Sequence, residues 1–438
     1  MEWKAAQLDV SHPPDLVLTN KLDVDPDFAD NFSRCARWCA DGSSFLVQCE
    51  NRSFQLFNIP DVQAGEQLTS HHKRTFSQSS AVVNFAWYPG ASSNNAPAYC
   101  FVASVRDCPV KLLDASDGRL RASYPIIDHR ERFIAPHSLA FNLTADKLYC
   151  GFEDAIEIFD IQQPGEGDRL PTTPSKKSKD GLKGIISSIA FSSSYDYYAI
   201  GSLTPSSPAM DNIALYSESN KAAIMPIGGA DSHSGVTQLK FNPTKPHILY
   251  AAFRRHDVIY AWDLRSDTSI PVKVFRTPPD SRKTLTNQKI EFDIDHAGRW
   301  LSVGDQNGTV SMFDLGDSDE LDAERSSVIS PQNIDPEMTF KAHGGKYTKH
   351  QCPSLYVVGC VAFQPLRSNL LSASGSRHFD DGVEEGDSHS SDGDSTDQES
   401  DSESEDRIAV SRRRPLPYVK DSSLKLWSFD PTRTVHHA

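Results

Sequence analysis

No stretch of the 438 residues approaches the roughly 18 consecutive apolar residues that a membrane-crossing helix needs. Helical periodicity is equally scarce. No window of about 12 residues carries apolar side chains at 3.6-residue spacing, which argues against an α/β enzyme with helices between its strands. Basic residues are in deficit, 44 Lys+Arg against 59 Asp+Glu for a formal charge of −15, so a globally basic nucleic-acid binder is excluded. That deficit is local: residues 380–406 hold thirteen Asp and Glu and no Lys or Arg, and without them the body lies within two charges of neutral. Cysteines number eight and are scattered, with Cys49, Cys100, Cys150 and Cys360 inside apolar runs. This is the pattern of buried thiols in a reducing compartment rather than of a disulfide framework. The opening Met1-Glu2-Trp3-Lys4 lacks the charged-then-apolar layout of a secretory leader, so a soluble intracellular chain is expected. Asn-x-Ser/Thr matches such as Asn142-Leu143-Thr144 are then chance.

What the chain does contain is a repeat. From Val236 an apolar-alternating run (Val236, Leu239, Phe241) stops at Asn242-Pro243-Thr244-Lys245-Pro246. A second run covers residues 248–253, a third residues 258–263 and a fourth residues 272–275. Each is short, β-branched or aromatic, and bounded by turn residues, which predicts four strands. The same phrase recurs from Cys35, Asn84, Ser138, Ile186, Ile290 and Val357. Its third-strand anchors fall at Phe57, Leu113, Phe159, Tyr216, Trp262, Phe313 and Trp427. The first six are spaced close to one four-stranded propeller blade plus loop growth. Seven such units, with Trp262-Asp263 in one of them, predict an all-β, seven-bladed WD40 β-propeller spanning residues 31–438. Blade seven lacks an outer strand at the C-terminus. Asp15-Leu16-Val17-Leu18-Thr19, within an N-terminal segment of residues 1–30, is expected to supply it and close the ring. A tandem of β-sandwiches would show no seven-fold period.

Catalytic motifs are missing: there is no Gly-rich phosphate loop, His-Glu-x-x-His or Gly-x-Ser-x-Gly. Cys35-x3-Cys39 has a metal-like spacing but no second ligand pair, so core packing is expected for both. His343, His350 and Cys352, and likewise His71-His72, read as solvated loop residues. Asp154, Asp257 and Asp305, each shortly before a third strand, read as turn-holding residues. No cofactor, metal or enzymatic activity is expected.

Surface chemistry remains. In a propeller, turns from second to third strand and connections between blades emerge on one face. That rule groups Arg254, Arg255 and His256 with Arg282 and Lys283. It adds Arg130 and Arg132; Lys176, Lys177, Lys179 and Lys183; and Lys346, Tyr347, Lys349 and His350. Cations interleaved with rings that stack on bases are the footprint of an RNA backbone binder, while any one such pair alone is an ordinary solvated loop. The acidic residues 380–406, poor in apolar side chains, are expected to be disordered. Ser391, Thr396, Ser400 and Ser402 precede acidic residues in a pattern suited to acidic-directed phosphorylation, and Arg412-Arg413-Arg414 follows as a basic cluster that either pairs with the acid or serves nuclear import.

Several phrases are more particular than WD40 grammar. They include Ala36-Arg37-Trp38 with Asp41-Gly42-Ser43, Phe57-Asn58-Ile59-Pro60, and Asp114-Ala115 followed by Gly118-Arg119-Leu120-Arg121-Ala122-Ser123. Further on come His137-Ser138-Leu139-Ala140-Phe141, Cys150-Gly151-Phe152, Gly184-Ile185-Ile186-Ser187, Trp262-Asp263-Leu264-Arg265, and Thr286-Asn287-Gln288-Lys289-Ile290 leading to Phe292-Asp293. In these the chain resembles the telomerase Cajal body protein family. The resemblance implies a non-catalytic adaptor that recognises a short CAB-box hairpin element in small Cajal body RNAs and telomerase RNA. It also implies ribonucleoprotein partners, no membrane, a monomer, and a nuclear location with some cytoplasmic pool. The chain departs from the family in lacking a long Pro-rich N-terminal extension, in its acidic insertion, and in a Pro/Ser-rich loop at residues 204–210. The competing expectation is a protein–protein scaffold associated with pre-mRNA splicing, without direct RNA binding.

Overall fold

The computed structural model describes residues 6–23, 25–59, 71–175, 177–178, 180–205, 211–230, 233–278, 286–316, 330–344, 356–379 and 417–430. Seven antiparallel sheets follow one another as blades, in the seven-bladed propeller expected. Blade 1 is Ser33–Trp38, Ser44–Cys49, Ser53–Asn58 and His71–Ser77. Blade 5 is Val236–Phe241, Ile248–Phe253, Val258–Asp263 and Lys273–Arg276. Blade 6 is Phe292–Ile294, Trp300–Gly304, Thr309–Asp314 and Met338–Lys341. Blades 2, 3 and 4 begin at Val82, Ser138 and Ile186 in the same order, inner strand to outer. His71-His72 thus opens an outer strand, where a loop was expected.

Burial explains why the sequence texture changes along each blade. Second strands such as Ser44–Cys49 and Ile248–Phe253 are buried at every position, because neighbouring blades cover both faces. They therefore read as continuous apolar runs instead of alternating ones. Outer strands are wet, and Ala222–Ile227 buries only its last residue. All seven anchors sit in third strands and are buried, Trp262 completely.

Ring closure follows the expected route. Asp15–Lys21 pairs antiparallel with Ser423–Ser428, Leu16 opposite Trp427 and Leu18 opposite Leu426. Blade 7 is thus built from both ends of the chain, with Val358–Phe363 innermost and Asn369–Ser374 second. Two additions lie outside the four-strand repeat. Gln332–Ile334, from the third-to-outer connection of blade 6, adds a parallel fifth strand to blade 5. A short hairpin, Arg377–Phe379 with Pro417–Val419, frames the acidic insertion, whose residues 380–406 lie outside the described residues.

A hydrogen-bonded chain fixes blade 7. Trp427 Nε1 donates to Ser372 Oγ at 2.9 Å, and Ser372 Oγ lies 2.8 Å from His343 Nε2. His343 Nδ1 lies 3.1 Å from Asp421 Oδ2 and 3.0 Å from Ser423 Oγ. One neutral imidazole tautomer satisfies every link, with Nδ1–H donating and Nε2 accepting from Ser372. His343 is completely buried, so the expectation of a solvated loop residue is corrected for it. Its histidine was read without the Asp421 that the insertion separates from the rest of the blade. His350 and Cys352 lie outside the described residues.

Candidate nucleic-acid interface

Inner strands of neighbouring blades splay too far apart to form a ladder, so their backbone groups need other partners. Side chains supply them across each gap. Asn84 Nδ2 donates to the His137 carbonyl at 3.0 Å, Gln238 Nε2 to the Phe292 carbonyl at 2.8 Å, and Trp38 Nε1 to the Ala362 carbonyl at 3.1 Å. Leu239 N donates to Ser188 Oγ at 2.9 Å. The ring so held surrounds a central channel with a cavity of about 620 Å³ at one mouth and about 560 Å³ at the other.

The larger mouth opens on the face carrying the second-to-third-strand turns. Its wall contains Glu50 and Arg254 from two such turns, with His137, Asn287 and Arg377 from blade connections or the insertion's base. Among the described residues, five cations, Arg34, Arg37, Arg254, Lys289 and Arg377, line it against two carboxylates, Glu50 and Glu291. Most are engaged. Arg34 lies 3.5 Å from Glu50, Arg377 is 2.7 Å from Glu50 and 3.0 Å from Asp30, and Lys289 and Arg37 reach Glu291 at 2.7 and 3.4 Å. Burial alone would raise the Glu291 pKa, but Lys289 and Arg37 outweigh it and hold the carboxyl well below its usual range. The mouth keeps an excess of positive charge inside low-dielectric walls, which focuses its field on an approaching anion.

Only part of the expected basic set meets at this mouth. Arg254 lines it, and Arg254, Arg255 and His256 together line an adjoining crevice of about 70 Å³ between blades 5 and 6. Arg255 adopts a left-handed backbone (φ 55°), as do Arg52, Asp107 and Asp154 in the corresponding turns of blades 1 to 3. The His256 ring stacks on Tyr260 with centroids 5.7 Å apart, and its Nε2 lies 3.1 Å from the Tyr260 hydroxyl. Arg130 and Arg132 project from the blade 2 to 3 connection, outside both cavities at this face; Arg132 pairs with Asp128 at 3.0 Å. Beside them Phe133 is 42% exposed, an aromatic platform that no basic pair in the sequence marks. Lys177 is described in the blade 3 to 4 connection, while Lys176, Lys179, Arg282, Lys283, Lys346, Tyr347 and Lys349 lie outside the described residues.

Nor do basic pairs mark Arg34, Arg37, Lys289 and Arg377, which are spread over three blades in sequence and meet only through ring closure. A signal was present in the text itself. Arg37, His137, Ser187, Gln288 and Lys289 belong to the phrases that carry the family resemblance, and all five line this mouth. Of the turn aspartates, Asp305 behaves as expected, accepting from Thr309 N across its own turn at 2.7 Å, whereas Asp154 accepts from Gly184 N of the blade 3 to 4 connection at 2.7 Å. For Asp257 it is the backbone carbonyl, accepting from Thr277 Oγ1 at 3.1 Å, that holds the turn.

Comparison with known proteins gives the same direction as those phrases. The chain is 28% identical over 375 residues to Telomerase Cajal body protein 1 of Mesocricetus auratus, covering 84% of this chain and 62% of that protein. It is 28% identical over 363 residues to Telomerase Cajal body protein 1 of Homo sapiens, covering 82% and 59%. Over more than four fifths of its length the chain is similar to the telomerase Cajal body proteins. The chain spans about 60% of the length of these curated relatives. A further match, 25% identical over 298 residues, is the Guanine nucleotide-binding protein negative regulator 1 of Schizosaccharomyces pombe, covering 65% of this chain and 71% of that one. No protein-family model matches the chain.

Proposed function

We propose that this propeller is a non-catalytic RNA-binding adaptor of a nuclear ribonucleoprotein of the telomerase and Cajal body class. In this reading it takes a short hairpin element of a small nuclear RNA at the cationic mouth of its channel. The observation that carries it is the convergence at that mouth of the phrases in which the chain resembles the telomerase Cajal body family, with cations in excess over carboxylates among the described lining residues. Arg254 and Arg255 would meet phosphates, Lys289 and Arg37 would set the local field, and Phe133 would offer a face to an unpaired base. Arg282, Lys283, Lys176, Lys177, Lys179, Lys346, Tyr347 and Lys349 are retained in this proposal as further candidate RNA contacts. The protein acts in the nucleus, with ribonucleoprotein subunits as its protein partners and a cytoplasmic pool awaiting assembly.

The test reverses two charges. Arg254→Glu with Arg255→Glu should weaken small-RNA binding and lower the salt slope by about 0.7 per lost single-strand contact, or about 0.9 per duplex contact. Stability should stay within about 0.5 kcal/mol, because both side chains lie in an exposed turn. Unchanged RNA affinity and slope would remove this pair from the interface. If, in addition, crosslinking to the wild-type chain recovers no discrete set of small nuclear RNAs, RNA binding itself fails. The second reading is a protein–protein scaffold associated with splicing, and its protein-binding part is favoured by one comparison and one structural fact. The S. pombe relative is named for action on a protein, and Arg34, Arg37, Lys289 and Arg377 are already ion-paired.

A further inference from the structure

Inner strands carry a repeated irregularity. The register slips by one residue between Val82 and Asn84, Ile186 and Ser188, Val236 and Gln238, Ser33 and Cys35, and Val358 and Cys360. Such a bulge re-aims the following side chain. In blades 2, 4 and 5 the re-aimed residue is Asn84, Ser188 or Gln238, and each hydrogen-bonds the next blade's backbone. At the seam where the ring closes, blades 7 and 1, the same position holds Cys360 and Cys35. A thiol is a weaker donor and acceptor than an amide or hydroxyl: Cys360 Sγ still meets the next blade's backbone, 3.5 Å from Ala36 N and 3.4 Å from Ala36 O, while Cys35 Sγ turns to the Glu291 carboxylate.

These groups form a ligand set. Cys35 Sγ, Cys360 Sγ and a carboxylate oxygen of Glu291, from blades 1, 7 and the start of 6, lie within 4.8 Å of one another and all three residues are buried. Glu291 divides its two oxygens: Oε1 takes Lys289 and Arg37, while Oε2 faces both thiols, 3.3 Å from Cys35 and 3.9 Å from Cys360. Tetrahedral zinc, with Zn–S of about 2.3 Å and Zn–O of about 2.0 Å, would hold sulfur and oxygen roughly 3.5 Å apart. The two distances bracket that value. Two thiolates and a carboxylate carry three negative charges; zinc, Lys289 and Arg37 bring four positive ones, so the buried cluster is close to neutral. The outer cations fix the carboxylate's orientation as partners behind a metal ligand do. Glu291 and Cys35 line one mouth of the channel and Glu291 and Cys360 the other, so the cluster can be reached and a water can complete the fourth position.

We propose that Cys35, Cys360 and Glu291 form a zinc-binding site that fastens the closing seam of the propeller. The site ties inner strands of blades 1 and 7 to the entry of blade 6. It is independent of the RNA reading.

The experiment uses the full chain, reduced and treated with chelator, then titrated with Co²⁺ and separately with Zn²⁺ against a chromophoric competitor. One equivalent of Co²⁺ should bind with a thiolate-to-cobalt charge-transfer band whose intensity corresponds to two thiolates. Cys35→Ser and Cys360→Ser should each halve or abolish that band. Lys289→Met should weaken Zn²⁺ affinity about 10- to 100-fold, as loss of an outer partner does. Cys108→Ser, a half-buried thiol of blade 2, should leave both readouts unchanged. Should the serine variants fold poorly, the wild type still decides. Zn²⁺ should raise its Tm and shield Cys35 and Cys360 specifically from alkylation, read peptide by peptide. No charge-transfer band, or one that survives both serine substitutions, or alkylation of the pair unaffected by Zn²⁺, overturns the proposal.

Discussion

Removing residues 1–22 should destroy the ring rather than trim it. The deletion takes away the outer strand of blade 7, whose ladder runs from Asp15 opposite Ser428 to Lys21 opposite Ser423. It also exposes what that segment covers. Val10, Leu18 and Leu22 are 6–9% exposed in the intact chain, Val10 packing with Trp427 and Phe429 and the two leucines with Leu424 and Leu426. At about 1.5–3 kcal/mol for each buried aliphatic side chain, the loss is roughly 5–9 kcal/mol before any hydrogen bond is counted. Total stabilities of native proteins are about 5–15 kcal/mol. The truncated chain should therefore be largely unfolded near 37 °C, and what remains folded should carry Ser423–Ser428 as an unpaired edge open to association. Urea denaturation followed by near-ultraviolet circular dichroism, with sedimentation velocity, separates the outcomes. A truncated chain with the same midpoint and the same monomeric sedimentation would show that closure does not depend on this strand. Leu18→Ala alone should cost about 2–4 kcal/mol, a graded check on the same interface.

Three other expectations concern blade 7. Ser372→Ala orphans two buried groups at once, Trp427 Nε1–H and His343 Nε2, and should cost roughly 2–4 kcal/mol in the urea midpoint. Adding Trp427→Phe removes one orphan, so the double variant should lose less than the sum of the singles; strict additivity would break the chain of links described. Burial of His343 lowers its pKa below 6.5, the nearby Asp421 opposing but not cancelling that effect. The native state then binds fewer protons than the unfolded chain below about pH 6.5, so stability present at pH 7 falls as the solution is acidified. A urea midpoint that rises between pH 7 and 6 would contradict a neutral buried imidazole. Deleting residues 380–406 should raise affinity for random RNA more than for cognate hairpins, most at low salt, because a tethered polyanion competes for the same cations. Equal affinities at low salt with and without the segment would reduce it to a tether.

The ring was legible because a blade is a local object. Its four strands lie within about fifty residues, and burial on two faces writes continuous apolar runs such as Ile248-Leu249-Tyr250-Ala251-Ala252-Phe253 directly into the text. Even closure could be read, since Asp15-Leu16-Val17-Leu18-Thr19 is a strand-like segment without a blade and blade 7 a blade without an outer strand at its C-terminus; the strand formed runs on to Lys21. Gln332–Ile334 could not, because three residues pairing in parallel with another blade leave no periodicity to detect. The channel mouth was hidden for a different reason. Arg34, Arg377 and Lys289 belong to three blades, and Arg377 meets Glu50 across 327 positions of sequence. Nothing short of the closed ring makes them neighbours. Reading cations by adjacency in the chain therefore favoured pairs within one loop, such as Arg130 and Arg132, where a local carboxylate like Asp128 is available to neutralise them. The same holds for Cys35. Cys39, its partner by spacing, bonds instead to Asp41 at 2.9 Å, and burial and that carboxylate push its thiol up to about 11. The sulfur that faces Cys35 belongs to Cys360, at the opposite end of the sequence and next door in space. In a propeller the innermost position of each blade touches the next one, so chemistry that needs several blades is assembled at the axis, and its residues are to be sought one per repeat at the same point in the phrase.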